Sequence, residues 1–181
     1  MHKDIIIVGA GLSGIGAACH LSRKHPDKTY IILESRKELG GTWSLFKYPG
    51  IRSDSDMYTF GYSFKTWDNP KSFADASSIL KYLDEASDKY RIKKHIKYQQ
   101  RAISYDFNSN KKLWLVKVLD VITGQESIYT CKFIFGCSGY YNYDKGYTPK
   151  FKNQSKFEGV IIHPQKWPKN FNPSNKKIVV I

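Results

Sequence analysis

The stretch DIIIVGAGLSG, residues 4–14, decides the fold. Its first half is an apolar run typical of a buried parallel strand, and its second half spaces three glycines as GxGxxG. Apolar positions then recur at helical spacing from Leu12 to about Lys24, which predicts a helix. A strand, a glycine-rich turn and a helix in this order predict the start of a dinucleotide-binding βαβ unit.

A second apolar strand, predicted over residues 29–33, ends in Glu34. In a dinucleotide-binding unit, Gly9 permits the tight turn, Gly11 lets a diphosphate approach the backbone, and Gly14 lets the helix pack closely on the sheet. Ser13 lies in the first helical turn, where free N–H groups and the positive end of the helix dipole favour phosphate.

The acidic residue narrows the choice of dinucleotide. The carboxylate of Glu34 can accept hydrogen bonds from ribose hydroxyls, and its charge disfavours the 2′-phosphate of NADP at this first site. NAD and FAD both remain candidates on this evidence.

A long connection follows where an ordinary dehydrogenase would begin its next helix. It opens with a second glycine pair, Gly40–Gly41, whose backbone is free to pass close to a ligand. Turn-forming and charged residues then dominate residues 48–56. We expect this connection to be a functional loop.

The middle of the chain predicts one helix and three strands. Residues 75–90 carry an apolar stripe at helical spacing, which we interpret as core packing. Strands are predicted over residues 96–107, 113–120 and 128–135, with turns at 108–110 and 123–125.

The composition indicates a globular protein. Of the 181 residues, 41% are hydrophobic and 15% aromatic, unlike a disordered chain. The formal net charge is +13, but the basic residues are scattered as short pairs and form no single stripe. We therefore expect a solvated basic surface and no nucleic-acid partner.

Targeting and redox signals are few. No apolar run approaches the roughly 20 residues of a membrane span, and the strand that starts at Asp4 leaves no room for a signal peptide. Cys19, Cys131 and Cys137 are odd in number and fit no metal or CxxC spacing. We expect a cytoplasmic protein without a transmembrane segment or a metal site.

Two longer motifs carry a family resemblance. Residues 34–64, ESRKELGGTWSLFKYPGIRSDSDMYTFGYSF, resemble the flavin-containing monooxygenase superfamily, and its Baeyer–Villiger branch in particular. The segment FEGVIIHPQKWP matches that branch's fingerprint FxGxxxHxxxWP at Phe157, Gly159, His163, Trp167 and Pro168. N-oxidising members usually carry Tyr in place of Trp167. Residues 137–144, CSGYYNYD, resemble the subgroup that includes the ethionamide-activating monooxygenase.

The resemblance implies a fold and a domain plan. The fold class is α/β, a Rossmann-like FAD-binding domain with a three-layer ββα sandwich, within a two-dinucleotide-domain architecture like that of glutathione reductase. Residues 1–144 would form the N-terminal part of the FAD domain, and residues 145–175 an interdomain linker that carries the fingerprint. Residues 176–181, KKIVVI, would be the first strand of a truncated NADP-binding domain.

The resemblance also implies cofactors and site residues. FAD and NADPH are the expected cofactors, and Asp54 is the catalytic candidate, as the partner of an arginine that the family places beside the flavin. The fingerprint would orient the linker and couple domain movement to the reaction. The residues assigned to cofactor binding are Gly9, Gly11, Ser13, Gly14, Glu34, Gly41, Thr42, Trp43, Ser44, Leu45, Arg52, Ser53, Asp54 and Ala102, the last through a backbone contact with adenine.

The activity implied for the complete enzyme is insertion of one oxygen atom of O₂ into a ketone, with oxidation of sulfur compounds beside it. The expected partners are therefore a small ketone or thio-compound and O₂. Two alternatives stay open: an N- or S-oxidising flavin-containing monooxygenase, and a non-catalytic dinucleotide-binding fragment. A disulfide oxidoreductase is disfavoured because Cys131 and Cys137, six residues apart on a predicted strand, do not supply its redox pair.

Overall fold

A mixed sheet of six strands organises the chain in the computed structural model, which describes residues 1–181. The strands are β1 His2–Val8, β2 Tyr30–Leu33, β3 Ile96–Lys97, β4 Gln100–Asn108, β5 Leu113–Asp120 and β6 Glu126–Gly136. The α-helices are α1 Leu12–Lys24, α2 Thr42–Leu45, α3 Met57–Phe60 and α4 Ala76–Lys89. Single 3₁₀ turns span Lys93–His95, Gln154–Lys156 and Pro164–Lys166. The order in the sheet is β3-β2-β1-β6-β5-β4.

The parallel half of the sheet is the predicted βαβ unit. Strand β1 pairs in parallel with β2 on one side and with β6 on the other, and α1 makes the crossover between β1 and β2. All four residues of β2 are buried, as a strand covered on both faces requires.

The antiparallel half folds over one face of the parallel strands. Strands β4, β5 and β6 form a meander, and the N–H of Gln100 at the start of β4 donates to the carbonyl of Glu34, 2.9 Å away, at the end of β2. A cluster of fully buried side chains fills the space between these layers: Ile6, Ile31, Leu33, Val116, Val118 and Cys131. The fold is therefore Rossmann-like with a third, β layer, as the family resemblance implies.

Helices α1 and α4 cover the opposite face. The Asp75 side chain caps α4 by accepting from the Ser78 N–H at 2.8 Å. The predicted stripe of α4 is buried at Ile79, Leu83 and Ala86, in the larger core cluster that also contains much of α1. Burial of a side chain as large as Ile79 or Leu83 contributes about 1.5–3 kcal/mol.

The strand predicted over residues 96–107 is wrong in one respect, because it is two strands. Strand β3 pairs in parallel with β2, whereas β4 pairs antiparallel with β5. Between them Gln99 adopts a left-handed conformation, with φ of 59°, and its N–H donates to the Arg36 carbonyl at 3.0 Å. This break lets the chain pass from the parallel layer into the meander.

The strand predicted over residues 176–181 is also not formed. These residues have no regular secondary structure, and Val179, Val180 and Ile181 are 85–91% exposed. A strand needs a neighbour for its N–H and C=O groups, and no strand of residues 1–181 pairs with this segment.

The helices are short or polar relative to a membrane span. None of them combines the length and the apolar character that crossing a membrane requires.

Candidate dinucleotide-binding site

Two glycines of the first turn are dictated by the chain's own packing. Gly9 has φ of +102°, and a Cβ atom at this residue would lie 2.5 Å from the carbonyl oxygen of Cys137 at the end of β6. A Cβ atom at Gly14 would overlap the carbonyl oxygen of Gly9. These contacts explain why only glycine fits at both positions.

Gly11 differs, because nothing in the chain requires a glycine there. Its φ is −82°, and a Cβ atom would meet only the backbone of Gly41, with the Cα atom at 3.6 Å, an ordinary contact distance. Away from Gly41 such a side chain would enter open space, so its absence leaves a gap over the start of α1, beside Gly41, that the fold itself does not use.

The start of α1 faces this gap with free hydrogen-bond donors. Gly11 is the N-cap residue, no side chain caps the helix, and no acidic residue lies in its first turn. The first N–H groups of a helix have no partner within it, and together with the dipole they attract anions. Ser13 is exposed in this turn.

Glu34 is buried beside the glycine turn, with 6% of its surface exposed. One carboxylate oxygen accepts from the Ala10 N–H at 2.7 Å, and the other accepts from the Arg36 N–H at 2.9 Å. The predicted ribose acceptor thus also holds the turn in place. A carboxylate has about four acceptor sites, so capacity for ribose hydroxyls remains.

The second glycine pair packs backbone to backbone on the first turn. The Gly40 N–H donates to the Ala10 carbonyl at 2.9 Å, and a Cβ atom at Gly41 would lie 3.1 Å from Gly11 Cα. Gly40 and Gly41 have φ of +112° and +55°, and a Cβ atom at Gly40 would overlap the Leu80 side chain. The two turns form one continuous cradle of backbone.

Arg36 fixes the far side of the cradle. Its guanidinium donates to the Gly41 carbonyl at 3.0 Å, to Ser44 Oγ at 2.7 Å and to the Ser44 carbonyl at 3.1 Å. Ser44, predicted to bind the cofactor, is 2% exposed and engaged with this arginine. The sequence reasoning missed Arg36, although its place two residues after Glu34 was an available signal.

The other predicted residues of α2 lie along the same turn. Thr42 and Leu45 are half-buried, and Trp43 packs edge to face against Phe60 with ring centroids 5.7 Å apart. Trp43 is therefore packed against the core, whereas Thr42 directly follows the Gly40–Gly41 pair as the first residue of α2.

In the segment Arg52–Asp54 the middle residue is buried and its two neighbours are exposed. Ser53 is buried, its N–H donates to the Ala74 carbonyl at 2.8 Å, and its Oγ accepts from the Ala74 N–H at 3.1 Å. Asp54 is exposed. Arg52 lines a cavity of about 520 Å³ together with Gly50, Ile51, Lys71, Phe73 and Asp75. That lining contains no residue of the two glycine turns.

Ala102 lies on β4, two residues after Gln100, which bonds to the Glu34 carbonyl. It pairs with Val118 and packs, half-buried, against the smaller core cluster. The structure thus places it near the end of β2, on the strand that crosses back over the parallel layer.

A third segment, residues 137–144, joins the two glycine turns. The Cys137 N–H donates to the Val8 carbonyl at 2.9 Å, just before Gly9. Further along, the Tyr143 hydroxyl oxygen would lie 3.5 Å from a Cβ atom at Gly41. Sequence reasoning used this segment only for its resemblance and did not single out Tyr143.

The fingerprint forms a loop with several contacts inside its own segment. Nδ1 of His163 accepts from the Gln165 N–H at 3.2 Å, and Trp167 packs edge to face on Phe171 with ring centroids 5.5 Å apart. Phe157, Gly159 and Pro168 are exposed. No group of three or more His, Cys, Asp or Glu side chains is placed to hold a metal ion.

Burial keeps the three cysteines in the thiol form. All three are free thiols. Burial raises the pKa of Cys19 to about 12, with the charge of Arg23 opposing the shift, and burial also raises the pKa values of Cys131 and Cys137. Because the thiolate is the reactive form, these groups are poor nucleophiles near neutral pH.

Comparison with known proteins bears on the identity of the site. The model of an NAD(P)-binding Rossmann-like domain matches residues 7–83. The chain is 48% identical over 180 residues to the probable FAD-binding monooxygenase AlmA of Acinetobacter baylyi, and 48% identical to the FAD-containing monooxygenase EthA of Mycobacterium tuberculosis. Over nearly its whole length the chain is similar to FAD-containing monooxygenases. The resemblance that residues 34–64 and 137–144 carry is thereby confirmed.

Solved monooxygenase structures share the fold. An oxidised steroid monooxygenase bound to NADP superposes with a TM-score of 0.75 and 26% identity, over 93% of this chain and 32% of the other. A cyclohexanone monooxygenase from Rhodococcus sp. Phi1 bound to NADP⁺ gives a TM-score of 0.74 and 25% identity, over 95% of this chain and 32% of the other.

These relatives are much longer than the chain. Alignment with AlmA and EthA covers 99% of the chain described here but only 36% of each relative's length.

Proposed function

We propose that the protein carrying this chain is an NADPH-dependent flavoprotein monooxygenase, and that residues 1–144 bind its FAD. The observation that carries the proposal is the backbone cradle formed by residues 9–14 and 40–41 beside the buried carboxylate of Glu34. Relatives named FAD-containing monooxygenases, at 48% identity, support FAD as the dinucleotide.

The residues present fit a dinucleotide. A diphosphate suits the gap at Gly11, because the N–H groups at the start of α1 supply donors and positive potential there. Glu34 suits ribose hydroxyls and would repel a 2′-phosphate, which FAD lacks. Thr42 and Trp43, on the turn that Arg36 holds, are the candidates for the flavin end of the cofactor.

FAD supplies the redox chemistry when bound: NADPH reduces it, and the reduced flavin lets one oxygen atom of O₂ be transferred to a substrate. The chain's own residues would bind and orient the FAD. Glu34 and Arg36 fix the two glycine turns relative to each other, and Asp54 is proposed to pair with a cation beside the flavin. Residues 145–175 are proposed as the linker to an NADP-binding domain that would start near residue 176.

The finer proposal is Baeyer–Villiger oxidation of ketones, with oxidation of sulfur compounds as a second activity. Trp167 in the fingerprint supports it, and so do the names of the similar structures, a steroid monooxygenase and a cyclohexanone monooxygenase. A small ketone or thio-compound and O₂ are the proposed reactants.

The test uses the protein purified from its native cells, with any further chain that it carries. It receives NADPH and ¹⁸O₂ with linear, cyclic and aryl ketones, and in parallel with thioethers and amines. Esters or lactones that carry one ¹⁸O atom are expected from the ketones. If only sulfoxides or N-oxides form, the ketone assignment fails and the broader assignment as a flavin monooxygenase replaces it. If no compound of the panel is oxidised when NADPH is present, both the ketone assignment and the monooxygenase assignment are overturned.

A further inference from the structure

The hydroxyl of Tyr143 lies beside the second glycine turn, next to Gly41. A Cβ atom at Gly41 would lie 3.5 Å from this oxygen, and a Cβ atom at Gly139 would lie 3.7 Å from it. Gly41 itself packs on Gly11 at the start of α1. A phenol oxygen therefore lies next to Gly41, the residue that borders the gap at Gly11.

The hydrogen-bonding capacity of this hydroxyl is unused. The side-chain hydrogen bonds of residues 142–146 involve Asn142 and Asp144, and none involves the phenol of Tyr143. A tyrosine hydroxyl both donates and accepts, and in a half-buried place it usually finds a partner.

Local contacts hold Tyr143 in this position. The Asn142 side-chain oxygen accepts from the N–H groups of Asp144 at 3.0 Å and Lys145 at 3.3 Å, which forms a turn around Tyr143. The Asp144 carboxylate pairs with Arg101 of β4 at 2.8 Å. Because both partners of that ion pair are exposed, it adds little, and the turn is the stronger constraint.

The fingerprint contacts the same turn. Nε2 of Gln165 donates to the Asn142 carbonyl at 2.8 Å. The His163 ring lies so close to Gly146 that a Cβ atom there would overlap it. Residues on both sides of Tyr143 therefore rest on the fingerprint loop.

We infer that Tyr143 is a further cofactor-binding residue, whose hydroxyl donates a hydrogen bond to a diphosphate oxygen of FAD and whose position Gln165 of the fingerprint segment sets. This inference rests on the proposed function, since it assigns a residue to the same cradle.

The test measures FAD binding by the native protein. FAD is first removed and then added back, and flavin fluorescence monitors its binding. Tyr143→Phe removes only the hydroxyl, so we expect the dissociation constant to rise about tenfold, as for a lost hydrogen bond to a charged group. The urea midpoint of the FAD-free protein should not change. Tyr147→Phe, at a residue 87% exposed, should alter neither quantity.

Three outcomes would contradict the inference about Tyr143 or the proposed function on which it rests. Unchanged FAD affinity in Tyr143→Phe would overturn the inference and leave the proposed function intact. A lower urea midpoint in the FAD-free variant would show a structural role and would also overturn it. Absence of FAD binding by the unsubstituted protein would instead remove the proposed function on which the inference rests.

The link to the fingerprint has its own variant. Gln165→Leu removes the donor to Asn142 at nearly constant size, and it should weaken FAD binding about threefold, less than Tyr143→Phe, because it acts only through position. Lys166→Leu, on the same 3₁₀ turn, is the matched control and should bind FAD normally. Equal affinity in Gln165→Leu and the control would overturn the link.

Discussion

The carboxylate of Glu34 accepts a 2.7 Å hydrogen bond from the Ala10 N–H, inside the first glycine turn. The residue expected to recognise a ligand is therefore also a support of the turn that receives that ligand. Its second oxygen binds the Arg36 N–H at 2.9 Å, which ties the end of β2 to the loop that leads to the second glycine pair.

Replacement Glu34→Gln should weaken the fold as well as FAD binding. An amide offers one acceptor oxygen and turns its NH₂ toward an N–H group, so one buried donor loses its partner. We expect a loss of about 1–3 kcal/mol in the free energy of unfolding, measured by urea denaturation of the FAD-free protein. Glu38→Gln, at a side chain 47% exposed, is the control and should be nearly neutral. Equal stability of the two variants would contradict this role.

Replacement Gly14→Ala should be strongly destabilising. The new methyl group would overlap the carbonyl oxygen of Gly9, so α1 must move away from the turn. The expected loss is about 3 kcal/mol, despite the better helix propensity of alanine. Gly136→Ala has no atom within 4 Å of the new methyl group and should change the stability by less than about 0.5 kcal/mol. The urea midpoints of the Gly14→Ala and Gly136→Ala variants are compared. Similar midpoints would contradict the close approach of Gly14 to the Gly9 carbonyl.

Replacement Arg36→Met should loosen the second glycine turn. It keeps the aliphatic stem but removes the guanidinium that donates to the Gly41 carbonyl, to Ser44 Oγ and to the Ser44 carbonyl. We expect faster amide hydrogen exchange over residues 40–46 and a loss of about 1–2 kcal/mol in stability. Lys37→Met, at the exposed neighbouring residue, should leave the exchange of that segment unchanged. Exchange that is equal in both variants would refute the bracing role of Arg36.

Acid should release the start of β1. The pKa of Asp4 is lowered to about 2, first by the Thr29 N–H, then by the Thr29 hydroxyl, with Lys132 adding to both. Since the pKa is depressed in the folded state, the stabilisation is fully present above the ordinary value of 3.8 and is lost as the pH falls toward about 2. The stability difference between the unsubstituted protein and Asp4→Asn should therefore shrink between about pH 5 and pH 2. A difference that stays constant over that interval would contradict this pairing.

Much of the fold could be predicted because its signals are local. The glycine spacing, the apolar run of β1 and the stripe of α4 each lie within one short segment, and each is formed as expected. The break at Gln99 was missed, because one left-handed residue leaves no mark in an apolar pattern. The strand at residues 176–181 failed for the opposite reason: pattern alone cannot supply the neighbour that a strand needs.

The candidate site could be predicted only in part. Gly9 and Glu34 follow from a motif, but the contacts of Arg36 and Tyr143 depend on where separate segments meet in space. Tyr143 is about a hundred residues from Gly41 in the chain and still approaches it. No periodicity or spacing encodes such a meeting.

FAD binding by a Gly11→Ala variant of the native protein tests the central claim most directly. The new methyl group has an ordinary contact with Gly41 Cα at 3.6 Å, so the FAD-free variant should unfold at the same urea concentration as the unsubstituted protein. If the diphosphate occupies the gap at Gly11, the variant should bind FAD at least about tenfold more weakly in fluorescence titration. A folded Gly11→Ala protein that binds FAD with undiminished affinity would contradict the account.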